Sequence, residues 1–349
     1  MLLMTNSTHL SEGRSAARHQ KQPLLHIDNL VVDYPTSEGD LRAVDHVSLR
    51  LYPGEVLGLV GESGCGKSTL GFAIIGLLKG GIIRSGKILF EGKDLVQMSE
   101  KEIRNLRGSD IAMIFQASQN ALNPLQKVSK HLVDTLKVHN RWNVEAWNEV
   151  MELIHRLEIP ESRLDDHPFQ FSGGMQQRIV IALALLLHPR LILADEPTTA
   201  LDVLVQARIL ELLRELKEEF DLTAIYITHD LGVVAEITHR VAIMYAGEIV
   251  EVGNTTTIFE KPAHPYTQGL ISAIPNVKDK TKRKLAFIPG RPPDLKNLPV
   301  GCRFADRCSY AIETCKNKKP ESYKLTSEED IEHIVKCFKY DSRFKNQFE

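Results

Sequence analysis

A glycine-rich segment that begins at residue 61 has the residue types and spacing of a phosphate-binding loop. In such a loop the backbone N–H groups surround a phosphate chain, the lysine reaches the β- and γ-phosphates, and the serine hydroxyl binds Mg²⁺. The spacing therefore predicts that the chain binds a Mg²⁺–nucleotide. The segment matches the pattern G-x-x-x-x-G-K-[ST] and consists of Gly61, Glu62, Ser63, Gly64, Cys65, Gly66, Lys67, Ser68 and Thr69.

Two carboxylates, Asp195 and Glu196, directly follow the apolar run Leu191–Ala194. A short apolar run of this kind predicts a buried strand that ends in these two side chains. Asp195 is then expected to hold Mg²⁺, directly or through water, and Glu196 to act on a water molecule as a general base. A solvated acidic turn is the alternative, but a phosphate loop in the same chain favours hydrolysis of a nucleotide.

A second glycine motif, Ser172-Gly173-Gly174, opens an apolar helix predicted over residues 175–187. Ser172 can cap this helix, and the glycines allow an anion to approach the N–H groups at its N-terminus. Because the first phosphate site is already complete, the second site is expected to serve a nucleotide bound to another subunit. An ordinary serine-capped helix is the common meaning of this motif alone.

The elements around the first loop agree with phosphate binding. Val56–Val60 is typical of a short buried strand, and an apolar helix is predicted over residues 70–79, where Gly80 and Gly81 end it. A strand, a glycine loop and a helix in this order place a helix N-terminus beside the phosphates, where its dipole is favourable.

The rest of the chain predicts a mixed α/β protein with a helical stretch in the middle. That stretch, between about residues 117 and 190, is interpreted as an insertion. The predicted segments are a β-rich opening at 24–51, a strand at 111–115, helices at 128–138 and 144–157, an amphipathic helix at 203–220, a strand at 224–228, and a hairpin of 241–245 with 249–252.

Composition limits the class of protein. The 349 residues suffice for one large or two moderate domains, and the net charge of −2 gives no overall basic field for nucleic acid. The longest apolar run, nine residues over Ile179–Leu187, is far shorter than a membrane span. Five cysteines without a secretion signal indicate a reducing compartment.

Taken together, the motifs resemble those of the ATP-binding subunits of ABC transporters. Ser172-Gly173-Gly174 is similar to the core of the family's signature motif, and Ala200-Leu201-Asp202 is similar to its D-loop. Gln116 matches the Q-loop glutamine, and His229 in Ile-Thr-His-Asp matches the switch histidine. Tyr34, 27 residues before Gly61, lies where the family places an aromatic ring against adenine.

The resemblance implies a set of site residues. It implies ATP as the nucleotide and Mg²⁺ as its metal. The implied catalytic residues are Glu196, His229 and Gln116, the implied Mg²⁺ ligands are Ser68, Gln116 and Asp195, and the implied ATP contacts are Tyr34, residues 61–69, Asp195, Ser172, Gly173, Gly174 and Asp202.

Two segments depart from the family pattern. Phe171 stands where leucine is typical, and Met175 stands where glutamine is typical, so one polar group near the nucleotide of the other subunit is lost. After Gln116 the chain has Ala117-Ser118, where relatives often have an acidic residue and a proline. That segment faces the membrane partner in the family.

The residues after about 259 narrow the family further. His264-Pro-Tyr-Thr-Gln-Gly-Leu and the stretch from Ile288 to Cys302 resemble the extension of oligopeptide and dipeptide importer ATPases, a group that includes nickel importers. The resemblance implies an α/β fold: a P-loop ABC-type ATPase core with an antiparallel β part and a helical insertion, plus a small cysteine-containing C-terminal domain. The expected divisions are a flexible tail (1–23), a nucleotide-binding domain (24–258) and the C-terminal extension (259–349).

Four cysteines lie close together in this extension, in the spacing Cys302-x5-Cys308-x6-Cys315-x21-Cys337. Four thiols suit a Cys₄ zinc site, although the spacings are wider than the usual zinc knuckles. They also suit a [4Fe–4S] cluster, and unliganded thiols are the third alternative. The resemblance favours the cluster. Cys65 lies in the phosphate loop and is not counted as a ligand.

The resemblance also implies partners. They are a second homologous ATPase subunit, often a different chain and hence a heterodimer, two transmembrane permease subunits, and an extracytoplasmic solute-binding protein. The expected position is peripheral, at the cytoplasmic face of the cell membrane. A dipeptide, an oligopeptide, a nickel complex and a short sugar all stay open as cargo. The rival hypothesis is a soluble ABC-type ATPase that acts on nucleic acid, with the cysteines as a zinc module.

Overall fold

The computed structural model describes residues 22–116, 121–198, 201–274, 287–325 and 333–348. The chain divides into two compact units. The first unit consists of the described residues within Met1–Ala73, Leu78–Val96 and His229–Glu349. The second consists of those within Ile74–Leu77 and Gln97–Thr228. All but the last two positions of the predicted tail at 1–23 lie outside the described residues.

Strands and helices alternate along the chain. In order, the strands are β1 (Leu25–Thr36), β2 (Gly39–Leu51), β3 (Val56–Val60), β4 (Ile82–Phe90), β5 (Lys93–Asp94), β6 (Ile111–Ile114), β7 (Leu191–Asp195), β8 (Ala224–Thr228), β9 (Arg240–Tyr245), β10 (Glu248–Asn254), β11 (Tyr323–Lys324) and β12 (Ile334–Val335). The α-helices are α1 (Lys67–Ile74), α2 (Glu100–Leu106), α3 (Val128–Val138), α4 (Val144–Arg156), α5 (Gly173–Leu185), α6 (Val203–Phe220), α7 (Leu231–Ile237), α8 (Thr255–Glu260), α9 (Pro265–Ser272) and α10 (Glu313–Asn317).

An antiparallel sheet in the first unit has the strand order β2-β1-β4-β5. The pairing of β1 with β2 runs from Leu25 opposite Leu51 to Thr36 opposite Gly39. Along the second half of β2, buried apolar residues alternate with exposed polar ones. This alternation places one face of the strand on the core.

The same unit contains a second group of paired strands, in the order β11-β12-β10-β9-β3. β3 is buried along its whole length and runs parallel to β9, with Leu57 opposite Arg240. β9 and β10 form the predicted antiparallel hairpin. The glycine loop that follows β3 is therefore attached to a strand that is covered on both faces.

The described C-terminal residues pair and pack with other parts of the first unit. β12 pairs with β10 through Val335 opposite Glu251, and Phe304 joins a buried cluster that also contains Val60, Tyr245 and Tyr266. The described part of the extension thus shares a hydrophobic core with β3 and β9. A separate small C-terminal domain is therefore not confirmed.

A buried ion pair also connects the C-terminal extension to β2. The guanidinium of Arg303 pairs with the carboxylate of Asp45, and both side chains are almost fully buried. Burial alone would raise the pKa of Asp45, but the hydrogen bond from Lys319 and the charge of Arg303 outweigh it and hold that pKa well below its usual range. Loss of Arg303 would be destabilising, because the buried Asp45 would keep only the partly exposed Arg42 and Lys319 as its arginine and lysine partners.

The second unit is built on three parallel strands in the order β8-β7-β6. Ile111 lies opposite Leu191 and Ile192 opposite Ala224, so the carboxyl ends of all three strands meet at one edge. Helices α3 to α6 belong to this unit. Residues that follow such strands are well placed to form a site, because ligands bind outside the carboxyl ends of parallel strands.

The helix after the phosphate loop is shorter than predicted. It ends at Ile74 and not at residue 79, because Gly76 adopts φ +67°. The guanidinium of Arg107 then donates to the carbonyls of Ile75, at 3.0 Å, and Gly76, at 2.6 Å. Those carbonyls find a side-chain donor in place of a further helical turn.

Across the described parts of the chain, no helix combines the length and the apolar character needed to cross a membrane.

Candidate nucleotide site

The phosphate loop lies between β3 and α1, with Lys67 as the first residue of the helix. The Lys67 side chain is buried, and its Nζ donates to the carbonyl oxygens of Gly61, at 2.8 Å, and Glu62, at 3.0 Å. The ammonium group is thus held inside the curve of the loop. A cation in this position supplies the positive charge that a phosphate chain needs.

Two glycines in the loop are required by close backbone contacts. A Cβ on Gly66 would lie 2.2 Å from the carbonyl oxygen of Ala43, and a Cβ on Gly61 would lie 2.1 Å from that of Met244. Gly66 also has φ +107°, a conformation that favours glycine strongly. The glycine pattern in the sequence therefore reflects a loop that lies against the backbones of β2 and β9.

Glu62 is held by two residues that the sequence analysis did not identify. Its carboxylate accepts two hydrogen bonds from Arg307, and its backbone N–H donates to the hydroxyl of Tyr266 at 3.0 Å. Tyr266 belongs to the His-Pro-Tyr segment, and Arg307 stands beside Cys308. The His-Pro-Tyr segment and the cysteines identified the C-terminal extension in the sequence, but neither predicted a contact with the phosphate loop.

Tyr34 lies beside the same loop. Its hydroxyl is 3.5 Å from the Oγ1 of Thr69, and its ring stands close to Gly81, where an added Cβ would lie 3.0 Å from Cε1. The ring is partly exposed. Tyr34 is therefore near the phosphate loop, as its sequence position suggested, while its stacking on a base stays a prediction.

The second unit brings Gln116 and Glu196 together. The Nε2 of Gln116 donates to the Oε2 of Glu196 at 2.9 Å. Glu196 adopts φ +46°, which is unusual for a side-chain-bearing residue, and its N–H donates to the carbonyl of Ile227 at 2.8 Å. Asp195, one residue earlier, is buried. Unusual backbone conformations of this kind cluster at functional sites.

The signature serine and the D-loop aspartate cap neighbouring helices of the second unit. The Ser172 hydroxyl accepts from the N–H of Met175 at 3.4 Å, and the Asp202 carboxylate accepts from that of Val205 at 3.0 Å. A Cβ on Gly174 would lie 2.5 Å from Cγ1 of Val205, so α5 and α6 touch at their N-termini. Ala200, which begins the D-loop match, lies outside the described residues.

Phe171, which departs from the signature pattern, is buried. The guanidinium of Arg163 lies over its ring, 4.4 Å from the centroid. A cation over an aromatic face is a favourable contact, so the larger side chain is accommodated by local packing. Ala117 and Ser118, the second departure, lie outside the described residues.

His229 lies in the first unit, directly after β8, and its side chain is exposed. The next residue, Asp230, caps α7 by accepting from the N–H groups of Gly232, at 2.9 Å, and Val233, at 3.4 Å. The cap fixes the backbone that carries the histidine. The first unit thus contains Lys67, Ser68, Tyr34 and His229, and the second contains Gln116, Ser172, Asp195, Glu196 and Asp202.

The four cysteines of the extension line one small apolar cavity of about 20 Å³. Burial raises the pKa of Cys302 to about 12 and that of Cys337 to about 11, and it also raises the pKa of Cys308. Among the described residues, no group of three or more His, Cys, Asp or Glu side chains is arranged to hold a metal ion. The predicted thiols are therefore brought together, but a metal site is not confirmed.

Comparison with known protein families gives two matches. Residues 44–199 match the ABC transporter family, and residues 250–315 match the oligopeptide/dipeptide transporter C-terminal region. The oligopeptide transport ATP-binding protein OppD of Bacillus subtilis (strain 168) is 47% identical over 321 residues, which is 90% of this chain and 88% of that protein. The dipeptide transport ATP-binding protein DppD of the same organism is 45% identical over 327 residues, or 92% of this chain and 96% of that protein.

Solved structures give the same picture of the fold. The dimeric structure of MJ0796, a bacterial ABC transporter cassette, is 29% identical with a TM-score of 0.59, and the match covers 66% of this chain and 98% of that one. A post-hydrolysis state of the same cassette, bound to ADP and Pi, gives the same values. The fold is thus that of an ABC ATPase cassette with mixed α/β sheets.

Proposed function

Because the chain belongs to the ABC transporter family of oligopeptide and dipeptide transport ATP-binding subunits, we propose that it hydrolyses ATP to ADP and phosphate to power peptide import. The observation that carries this function is 47% identity to an oligopeptide transport ATP-binding protein over 90% of the chain. A subunit of this kind is peripheral at the cytoplasmic face of the membrane. The alternative of a nucleic-acid ATPase is not supported, because the matching C-terminal family is one of peptide transporters.

The phosphate loop is the part of the chain that binds the ATP phosphates. Two observations support this assignment. Backbone oxygens approach Gly61 and Gly66 too closely for a side chain, and the ammonium of Lys67 lies inside the loop. The side chains proposed to hold Mg²⁺ are those of Ser68, Asp195 and Gln116, which offer the oxygen ligands that this ion prefers. When bound, Mg²⁺ neutralises charge on the β- and γ-phosphate oxygens. Tyr34 is proposed to stack on the adenine ring.

Glu196 is proposed to take a proton from the attacking water as the water oxygen bonds to the γ-phosphorus and the bond to the β-phosphate oxygen breaks. The hydrogen bond from Gln116 at 2.9 Å restricts the rotation of the Glu196 carboxylate and so supports this role. His229 is proposed to donate a hydrogen bond to a γ-phosphate oxygen. A positioned base of this kind typically contributes about 10²–10⁴-fold to the rate.

The signature segment Ser172-Gly173-Gly174 and Asp202 are proposed to contact the nucleotide of a second ATPase subunit. Their N-terminal positions on α5 and α6 support an anion site that the phosphate loop of the same chain does not need. We propose that the second subunit is a homologous chain, giving a heterodimer. Two permease subunits and an extracytoplasmic solute-binding protein complete the assembly.

The boundaries of the nucleotide-binding domain and of the C-terminal extension are also a proposal. Residues 24–258 would form the nucleotide-binding domain, with the helical insertion at about 117–190, and residues 259–349 the extension. The relatives favour a dipeptide or an oligopeptide over nickel or a sugar as the cargo.

Replacing Lys67 by Ala is expected to weaken ATP binding by about 10- to 100-fold, because the phosphate charge loses a charge-assisted partner. The measurement is the dissociation constant for a fluorescent ATP analogue on the full chain. Replacing Lys127, an exposed lysine at the start of α3, provides the control and should leave binding unchanged. Unaltered affinity in the Lys67 variant would remove the basis of the proposed function.

The four cysteines are proposed to hold a [4Fe–4S] cluster, with Zn²⁺ as the alternative. The donor set supports this proposal, since cysteine sulfurs are the usual ligands of such a cluster and the four cysteines line one cavity. Among the described residues, no group of three or more His, Cys, Asp or Glu side chains is arranged to hold a metal ion, so the structure favours neither the cluster nor zinc. When bound, the cluster would offset the cost of thiolate charge in a buried position.

Protein purified without oxygen is expected to contain about four irons and about four labile sulfides per chain. Replacing Cys308 by Ser should remove most of the iron, whereas replacing Cys65 by Ser should leave the iron content unchanged. Metal and sulfide analysis measures both. One tightly bound zinc per chain would replace the cluster by the zinc site, and metal-free protein with four titrating thiols would exclude both.

A further inference from the structure

We propose that Arg307 and Tyr266, both in the C-terminal extension, are positioning residues for the phosphate-binding loop and act on it through Glu62. The inference rests on the proposed ATPase function. It assigns a role in ATP binding to a part of the chain that is distant in sequence from the ATPase motifs. All of the residues concerned lie in the first compact unit.

The contact between Arg307 and Glu62 is bidentate. Nη1 of Arg307 lies 2.8 Å from Oε2 of Glu62, and Nη2 lies 2.9 Å from Oε1. Two parallel hydrogen bonds fix the carboxylate in both direction and rotation. The Arg307 side chain is 6% exposed and that of Glu62 is 27% exposed. Because the pair is partly withdrawn from water, salt screens it less than a surface pair.

The guanidinium is itself fixed in place. Its Nε donates to the carbonyl of Pro289 at 2.8 Å, and Nη1 donates to the hydroxyl of Tyr245 at 3.2 Å. The rings of Tyr245 and Phe304 stand within 6 Å of its central carbon, at 5.7 Å and 5.9 Å. Arg307 therefore cannot follow Glu62 if the loop moves, and it holds the loop to a rigid support.

Tyr266 holds the same residue through the backbone. The peptide group between Gly61 and Glu62 is planar, so its two ends turn together. Its N–H, on Glu62, donates to the Tyr266 hydroxyl at 3.0 Å, and its carbonyl, on Gly61, accepts from Lys67 Nζ at 2.8 Å. Tyr266 is fully buried against Tyr245, with ring centroids 4.6 Å apart. Fixing the N–H end of this peptide therefore directs the carbonyl end at the ammonium of Lys67.

The arrangement predicts an effect on ATP binding more than on the chemical step. Without Arg307, the carboxylate of Glu62 would be uncompensated beside the phosphates, and without the Tyr266 hydroxyl the peptide that orients Lys67 would be free to turn. Both changes weaken the ground-state complex and the transition state alike, so KM should rise while kcat changes little.

The test is a double-mutant cycle on the full chain, read as the dissociation constant for ATP. Replacing Arg307 by Ala in the wild type is expected to weaken binding about 10-fold. In a Glu62→Ala background the same replacement should change binding by less than about twofold, because Arg307 acts through Glu62. Tyr266→Phe, which removes only the hydroxyl, should weaken binding about threefold to tenfold even if Arg307→Ala fails to fold.

Arg343→Ala is the matched control. Arg343 also pairs with a carboxylate of the extension, that of Asp341, at 2.6 Å, but it contacts no residue of the phosphate loop in the described structure. This variant should bind ATP like the wild type. In the assembled transporter, Arg307→Ala should raise KM for ATP with kcat within about twofold, whereas a merely unfolded fraction would lower kcat and leave KM unchanged.

The inference is overturned if Arg307→Ala binds ATP like the wild type, if its effect is equally large in the Glu62→Ala background, or if Tyr266→Phe has no effect. Lys67→Ala separates these outcomes from failure of the proposed function. If Lys67→Ala loses affinity and the Arg307 and Tyr266 variants do not, only the positioning inference fails. If wild-type protein does not bind ATP, the ATPase function itself is wrong.

Discussion

Replacing Glu196 by Gln is expected to preserve ATP binding and to lower ATP turnover by about 10²–10⁴-fold, the usual contribution of a positioned base. Glutamine has the shape of glutamate, and its side-chain oxygen can still accept the hydrogen bond that Gln116 donates to Glu196 at 2.9 Å. The change therefore removes the basic group with little disturbance of its surroundings. The measurement is steady-state phosphate release by the assembled complex, with nucleotide affinity measured on the same samples.

Glu158→Gln is the matched control for this experiment. Glu158 belongs to the same unit and pairs with Arg178 and Arg208, so its replacement removes a carboxylate from a structural network away from Glu196. Turnover in this variant should stay close to that of the wild type. Near-normal hydrolysis by Glu196→Gln would show that another group takes the proton.

Replacing Gly66 by Ala is expected to weaken ATP binding by about 100-fold or more, because two separate effects oppose a side chain there. The conformation at φ +107° is strained for any L-residue, and the new Cβ would lie 2.2 Å from the carbonyl oxygen of Ala43. The oxygen belongs to the backbone of β2 and cannot turn away, so the loop must shift. A shifted loop no longer directs its N–H groups at the phosphates.

Gly64→Ala separates strain from the steric clash. Gly64 also has a positive φ, +78°, but an added Cβ would meet no atom within 4 Å. Its replacement should cost only the strain of a left-handed residue, about 1–2 kcal/mol, and so about 30-fold in affinity at most. Equal affinities of the two variants for ATP would contradict the steric argument. Thermal unfolding of both would show whether the loss is confined to the loop.

For α6, local signals in the sequence set both ends of the helix. The bounds of α6 match the prediction at both ends, because Asp202 caps its first turn and Asp221 adopts a left-handed φ of +46° after its last. The end of α1 was wrong. Arg107 satisfies the carbonyls of Ile75 and Gly76 from 32 and 31 residues away, and a local pattern cannot reveal such a distant donor.

The residues of the candidate site also include some that the sequence reveals and some that it does not. The pattern of residues 61–69 and its family resemblance identified the phosphate loop, since its glycines and lysine are recognisable from spacing alone. The resemblance also pointed to Gln116 and Glu196, which are 80 residues apart in the chain and in contact in the structure. The support from Arg307, 245 residues from Glu62, carries no sequence signal, because it depends on how the extension packs.

The ion pair between Arg303 and Asp45 has a consequence for how the protein is made. The two residues are 258 positions apart, so at a synthesis rate of about 5–20 residues per second the aspartate leaves the ribosome on the order of ten seconds or more before its partner. During that interval the Asp45 carboxylate has only the partly exposed Arg42 as its arginine or lysine partner and lacks Arg303 and Lys319, and β10 has no β12 to cover its edge. Nascent chains should therefore stay incompletely folded until the last tenth of the protein emerges. A message truncated shortly before codon 303 should yield a product that quality-control proteases remove, although it carries every ATPase motif.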